Sequence, residues 1–278
     1  MTPHETTDSA EHGHPNLSAG QQNGTPPKEH STTDASYPVW SVEAELEKID
    51  YPKLSSPPTT PIPFFHFLTR LKTTKRAGWV FMGVPNAESI SDHMYRMSII
   101  TLLAPPSLKS RLQLHRCTQM ALLHDMAESL VGDITPREKI PKHEKHRRES
   151  STMDWLTESL LGASANGLKE SGEELRALWQ EYEDDKTEEA RFVHDVDKFE
   201  LMLQMVEYEK QEKKQIDLGE FCGVLKSVTT KEVLEWSLEV LQGRKIFWGD
   251  QYSSLNGAEY EELLRKKLEA QGGSQERN

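Results

Sequence analysis

The stretch "QMALLHDMAESLVGDITP", Gln119 to Pro136, decides how the rest of the chain reads. Met120, Leu122, Leu123, Met126, Leu130 and Val131 make it apolar enough for a buried helix. His124, Asp125 and Glu128 interrupt that run, and Asp133 follows Gly132. Burying an ionised carboxylate is costly unless it is paired or bound to a metal. A His–Asp pair at a metal therefore accounts for these residues better than packing does. Adjacent helical residues point about 100° apart. Both can reach one ion only if it lies close against the helix and other helices complete its shell.

Two further segments offer that completion. "ESISDHMYR" carries His93 near the start of a helix, and "VHDVDKFE" carries Asp197 beside the apolar Val193, Val196 and Leu201. His93, His124, Asp125 and Asp197 make two imidazoles and two carboxylates. That mixture suits a borderline or hard divalent ion such as Mn²⁺, Co²⁺, Zn²⁺ or Fe²⁺. An ion with open positions acidifies bound water. Glu128 stands four residues after His124 and three after Asp125, on the same helical side. From there it could orient water, protonate a leaving oxygen or bind a second cation. A His–Asp dipeptide alone is weak evidence, since His194 and Asp195 form a second one. His194 reads as a partly exposed helix residue. His66 and His115 read as packing or surface residues, and His143 and His146 in "KHEKHRRE" as a solvated charged face. Lys72, Lys75 and Arg96 read as solvated charges.

Helical periods dominate the chain, and no stretch alternates as a strand would. "FFHFLTRLK" predicts a first core helix from Phe64 to Lys72, followed by a loop, "TTKRAGWVFMGVPNAE". Ser91 is the expected N-cap of the next helix, which Pro105 and Pro106 end. "SRLQLHRCTQMALLHDMAESLV" predicts one long helix closed by Gly132. Pro141 suits the first turn of another. A further helix carries Leu175, Leu178, Trp179 and Tyr182 on one face. The next bears a stripe of Phe192, Val196, Phe199, Leu203 and Val206. "TTKEVLEWSLEVLQGR" and "GAEYEELLRKKLEA" predict the last two helices. The fold class is all-α.

The chain has 278 residues, a net charge of −12 and 35% apolar residues. Residues 1–38 are rich in Ser, Thr, Pro, His, Gly and Asn and have almost nothing to bury, which predicts a disordered tail. The expected division is a loosely ordered segment over 1–58, a catalytic helical domain over 59–250, and a C-terminal helix with a frayed end over 251–278. The acidic balance argues against a nucleic-acid polymer as partner. No signal peptide, transit peptide or membrane span is expected. Cys117 and Cys222 give no disulfide framework, which points to a reduced intracellular protein.

"ESISDHMYRM", "ALLHDMAESLVGDITP", "IPKHEKHRRE" and "ARFVHDVDKFELMLQMVEYE", in that order, resemble the HD-domain metallophosphohydrolases. More narrowly they resemble the eukaryotic HD-domain 5′-deoxynucleotidases and their bacterial relatives, over about residues 62–210. The resemblance implies an HD-domain helical bundle, with His93, His124, Asp125 and Asp197 as metal ligands. It implies hydrolysis of deoxyribonucleoside 5′-monophosphates, a homodimer, and residence in the cytoplasm or nucleus. It further implies a second cation at Glu128, Asp133 and the carbonyl of Ile134. Glu128 and Asp133 are the expected catalytic carboxylates, and Mg²⁺ joins the candidate ions. Arg76 matches a phosphate-binding arginine, whose planar guanidinium suits two-pronged recognition. Trp79 is the expected wall for sugar or base. In bacterial relatives that Arg and Trp are adjacent, whereas "RAGW" separates them here. The rival readings are an HD-type deoxynucleoside triphosphohydrolase or nucleotide phosphodiesterase, and a non-catalytic helical scaffold.

Overall fold

The computed structural model describes residues 40–52, 56, 58–162 and 167–275. The tail expected over residues 1–38 lies outside the described residues. Among the described residues there is no strand, only an isolated antiparallel bridge between Lys75 and Ser89. The helices are α1 (Val42–Lys48), α2 (Ile62–Phe67), α3 (Thr69–Thr73), α4 (Ala77–Phe81), α5 (Ile90–Leu102), α6 (Pro106–Lys109) and α7 (Leu114–Leu123). There follow α8 (Glu128–Val131), α9 (Lys142–Asp154), α10 (Leu168–Asp184), α11 (Glu188–Gln211), α12 (Lys231–Trp248) and α13 (Tyr260–Gln275). Trp155–Gly162 continues α9 as π-helical turns, and Gly219–Lys226 is a 3₁₀ segment.

Helix α11 is the axis of the bundle. It packs against α5, α7, α10, α12 and the 3₁₀ segment. A helix covered on several sides cannot keep a single apolar stripe. Phe192, Val196 and Val206 are buried as expected, but Leu203 is only partly so, while Met202 and Met205 are fully buried. The same enclosure buries Asp195, Glu200, Gln204 and Glu209, and each has a partner.

Several local expectations change. The N-cap of α5 is Ser89, not Ser91. Ser89 and Asp92 bond each other's backbone reciprocally, Oγ from Asp92 N at 3.2 Å and Oδ2 from Ser89 N at 2.8 Å. That arrangement satisfies two of the helix's orphan donors at once. The first core helix is split at Leu68 into α2 and α3, and the loop after it contains α4. Residues 40–52, within the segment expected to be loosely ordered, include the short amphipathic piece that the sequence offers from Val39. They carry α1, which packs on α8 and α9 and buries Trp40 and Val42. At the other end α13 packs on α12 and buries Tyr260 and Leu264.

The C-terminal elements are tied to α11 through a buried ion pair. Glu209 accepts from Arg244 Nε at 2.8 Å, Trp248 Nε1 at 2.8 Å and Leu218 N at 2.9 Å. Arg244 also donates to Asp217 at 2.7 Å and to the Asn256 carbonyl at 2.8 Å. Breaking such a pair from one side leaves a buried charge and costs about 3–5 kcal/mol. Arg244→Met is therefore expected to lower the urea midpoint strongly. Adding Glu209→Gln should recover part of the loss, and two equal, additive losses would contradict the pairing.

Candidate active site

The expected long helix from Ser110 to Val131 is broken where its polar residues lie. Helix α7 ends at Leu123, residues 124–127 form turns, and α8 begins at Glu128. Through this break the backbone bonds tighten to i→i+3: Met126 N to Leu123 O at 2.9 Å and Glu128 N to Asp125 O at 3.0 Å. The His124 carbonyl is taken instead by the buried Trp179 indole N–H from α10, at 3.1 Å. A competing donor at the carbonyl is a recognised way to interrupt a helix ladder. Gly132, at φ +80°, then turns the chain after α8, so that Asp133 and Ile134 line the same cavity as Glu128.

Both imidazoles are oriented so that one nitrogen remains open. His93, fully buried on α5, donates from Nδ1 to Glu200 Oε2 at 2.5 Å. His124 donates from Nδ1 to the Ala121 carbonyl at 3.1 Å. The two Nε2 atoms are buried and have no hydrogen-bond partner. Ligand atoms of His93, His124 and Asp197 lie within 4.8 Å of one another. Asp125 Oδ2 lies 3.2 Å from His124 Nε2 and 3.9 Å from His93 Nε2. Asp197 Oδ1 lies 3.1 Å from His93 Nε2. A second buried His orphan with carboxylates at this spacing fits a divalent cation, since neutral imidazole binds metal through the nitrogen opposite its hydrogen-bonded one. Glu88, His93 and Glu200 also converge, but there the His93 nitrogen is already spent on Glu200.

The local field is negative. His93 is pulled down by burial and by Arg76, yet Glu200 and Asp197 carry it up to about 9. A field that favours a proton there favours a cation, and the two compete for the same nitrogen. Asp125 and Asp197 are held below the usual carboxylate range despite burial, Asp125 mainly by His124 and Arg76, Asp197 mainly by His93. Glu128 is pushed well above its ordinary value by burial and by the charges of Asp125 and Asp133, and its Oε2 has no partner.

Arg76 sits at the N-terminal edge of α4. It donates to Asp125 Oδ2 at 3.0 Å and lies 3.9 Å from Asp197 Oδ1. Burial opposes its charge, but the carboxylates of Asp125, Asp133, Asp197 and Glu128 outweigh that and keep it protonated. Asp133 Oδ2 accepts from Ala77 N at 2.7 Å, tying the loop after α8 to α4.

Arg76, His124, Asp125, Glu128, Asp133 and Asp197 border one cavity of about 650 Å³. Trp79 borders it too, but not as an open wall. It is 2% exposed, donates to Glu88 at 3.0 Å, and packs against Tyr208 and Phe221 with centroids 5.4 and 4.5 Å away. The second His–Asp pair diverges. Asp195 caps α12, accepting from Thr229 N at 2.9 Å and Thr230 N at 2.7 Å. His194 reaches the cavity edge, where it stacks on Tyr182 at 3.9 Å and donates to the Tyr182 carbonyl at 2.9 Å.

Other residues at the site escape a reading of spacing alone. Glu200 stands one turn after Asp197 and is clamped by Arg96, whose Nε donates to Oε1 at 2.7 Å, so Arg96 is no free surface charge. Tyr182 tilts against His124 at 5.0 Å. The charged face of α9 is not wholly solvated: Lys145, His146 and Glu149 line the cavity. Lys145 stands 3.4 Å from Glu149, and its pKa is raised, against burial, by Glu149, Glu128, Asp125 and Asp133. Burial pushes Glu149 up to about 7. The i, i+4 pair was visible in the sequence, but its facing carboxylates belong to α8 and the segments on either side of it.

The profile of the HD domain family matches residues 68–236. The 5′-deoxynucleotidase hdd1 of Schizosaccharomyces pombe is 46% identical over 188 residues, which is 67% of this chain and 91% of that protein. The 5′-deoxynucleotidase YGK1 of Saccharomyces cerevisiae is 38% identical, over 76% of this chain and 95% of that protein. The solved structure of the HD domain-containing protein YGK1 superposes with a TM-score of 0.57 at 31% identity, covering 75% of this chain and 99% of that one.

A carboxylate that fixes the ring of a ligating histidine typically affects metal affinity about 10–100-fold. Glu200→Gln is expected to weaken divalent-ion binding within that range, read by competition with a chelating dye. Unchanged affinity would mean that the contact at His93 Nδ1 does not orient the ligand.

Proposed function

The chain belongs to the HD domain family, and we infer that it is a metal-dependent 5′-deoxynucleotidase. It hydrolyses deoxyribonucleoside 5′-monophosphates to deoxynucleoside and phosphate. The observation that carries this reading is the convergence of two open, buried imidazole nitrogens with Asp125, Asp197 and the Arg76 guanidinium beside one cavity. The curated relatives are named 5′-deoxynucleotidases, and they bear on the choice against a triphosphohydrolase, a phosphodiesterase or a scaffold.

His93, His124, Asp125 and Asp197 would hold the divalent ion, for which the mixed donor set favours Mn²⁺, Co²⁺, Zn²⁺, Fe²⁺ or Mg²⁺. When bound, the ion supplies Lewis acidity towards phosphate and lowers the pKa of water. Arg76 grips two phosphate oxygens and offsets charge that grows on them during in-line attack. Glu128, with an unpartnered oxygen in the cavity, carries the proton between the attacking water and the leaving sugar oxygen. Asp133 holds the loop against α4. Glu128, Asp133 and the Ile134 carbonyl would supply the oxygens for a second cation, as the family resemblance implies. Trp79 supports the substrate wall from behind.

We propose residence in the cytoplasm or nucleus. None of the described helices is long and apolar enough to cross a membrane. We further propose a homodimer joined through α5. Tyr95, Ile99 and Leu102 lie one turn apart on that helix and are 65%, 37% and 53% exposed. An apolar stripe of this kind marks a contact surface more often than a solvent face. Light scattering should give twice the chain mass, and Tyr95→Glu with Leu102→Glu should halve it while leaving the fold intact by circular dichroism. A monomeric wild-type chain would exclude the interface.

Arg76 and Glu128 are expected to fail differently with a deoxynucleoside monophosphate as substrate. Glu128→Ala should lower kcat about 10²–10⁴-fold with the first ion still bound. Arg76→Ala should raise KM as well as lower kcat, because phosphate is its partner in both ground and transition states. Arg76→Lys should recover only part, since a point charge does not reproduce a two-pronged contact. Loss of the first ion in Glu128→Ala would make Glu128 a primary ligand. Wild-type kinetics in Arg76→Ala would remove Arg76 from the site.

A further inference from the structure

The cavity is lined by charged or ionisable groups, Arg76, His124, Asp125 and Glu128 among them, and by the apolar side chains of Leu201, Phe221 and Val224. Leu201 follows Asp197 by one helical turn on α11, so these two share a helix face. Phe221 and Val224 come from the 3₁₀ segment Gly219–Lys226. All three side chains are partly exposed, unlike the buried Trp79 behind them.

Phe221 is held in place rather than merely present. Its ring packs on Trp79 at 4.5 Å, and Trp79 is pinned by Glu88 and Tyr208. The ring also lies close to Gly78, where an added Cβ would stand 3.3 Å from Phe221 Cε1. That separation is tighter than ordinary carbon contact. A glycine there leaves room for the ring to lie close against α4. The result is a propped aromatic surface flanked by aliphatic side chains and opening into the site. Such a surface offers stacking and apolar contact to a planar heterocycle.

We propose that Phe221, flanked by Leu201 and Val224, forms the nucleobase subsite, with the base stacked on the Phe221 ring while the 5′-phosphate lies at Arg76. This assignment rests on the phosphomonoesterase reading. It transfers the stacking role expected of Trp79 to the residue that covers it. Trp79 becomes a positioning residue that acts through Phe221.

The test compares a deoxynucleotide with a substrate that has no base. Kinetics of the full, ion-loaded chain are measured with deoxyadenosine 5′-monophosphate and with 2-deoxyribose 5-phosphate. Binding of deoxyadenosine, which has no phosphate, is followed separately by saturation-transfer NMR on the metal-free chain. Phe221→Ala is expected to lose roughly tenfold or more in kcat/KM on the nucleotide, the scale of one base–aromatic stack. The loss should fall mainly on KM, with little change on the sugar phosphate. Deoxyadenosine binding should weaken alongside, and Phe221→Tyr should restore both. Equal losses on the two substrates, or a nucleotide KM and deoxyadenosine binding untouched by Phe221→Ala, would overturn the subsite. If the wild-type chain released phosphate from neither substrate, the phosphomonoesterase reading would fall. Deoxyadenosine binding would then decide the subsite alone: weaker binding in Phe221→Ala upholds it, and unchanged or absent binding overturns it.

Discussion

Repulsion among clustered carboxylates, buried at Glu128 and half-buried at Asp125, Asp133 and Asp197, is the constraint around which this structure is arranged. Asp125, Glu128, Asp133 and Asp197 all raise the pKa of the Arg76 guanidinium, and each would be costly to bury alone. Their charge is offset by Arg76 and by Lys145 across the cavity, and the open imidazole nitrogens leave a place for a cation. Removing any one of these positive partners leaves the others with more to neutralise. The site is therefore coupled to the stability of the elements that carry it: α4, α5, the α7–α8 break, α9 and α11.

The supporting contacts show how that coupling is built. Glu200 fixes the His93 ring, Arg96 fixes Glu200, and Gln204 and Glu207 fix Arg96, at 2.6 and 2.7 Å. All the carboxyl and amide partners in this chain come from successive turns of α11. On the other side, Trp179 holds the His124 carbonyl, and the Ala121 carbonyl holds the ring. Each imidazole is thus aimed by a contact at the far side of its ring or at its own backbone. This leaves the reactive nitrogens free of protein hydrogen bonds without leaving the rings free to turn.

Much of the chemistry was legible in the chain itself. Helical periods, the lack of alternating runs and the apolar setting of His124, Asp125 and Glu128 are local properties, and they identified an all-α fold around a polar centre. His93 and Asp197 were legible because each carries a metal-binding group beside an apolar strip. The helix endings marked by Gly132 and Pro105 were legible for the same reason, since they depend on backbone conformations that few residues adopt.

What the chain could not show is which surfaces meet. The α7–α8 break depends on an indole N–H more than fifty residues away, and helix propensity contains no record of it. Trp79 reads as an aromatic near an arginine, and only packing reveals that Phe221 covers it. His194 and Asp195 match His124 and Asp125 letter for letter. Asp195 became a helix cap because α12 starts against it, and His194 a stacking partner because Tyr182 lies beside it. Lys145 and Glu149 read as a solvated pair until α8 is seen packing on α9. Sequence determined which residues are able to bind a metal, because that depends on their own atoms and immediate neighbours. Tertiary structure decided which of them come together, because burial and electrostatic pairing are set by segments distant in the chain.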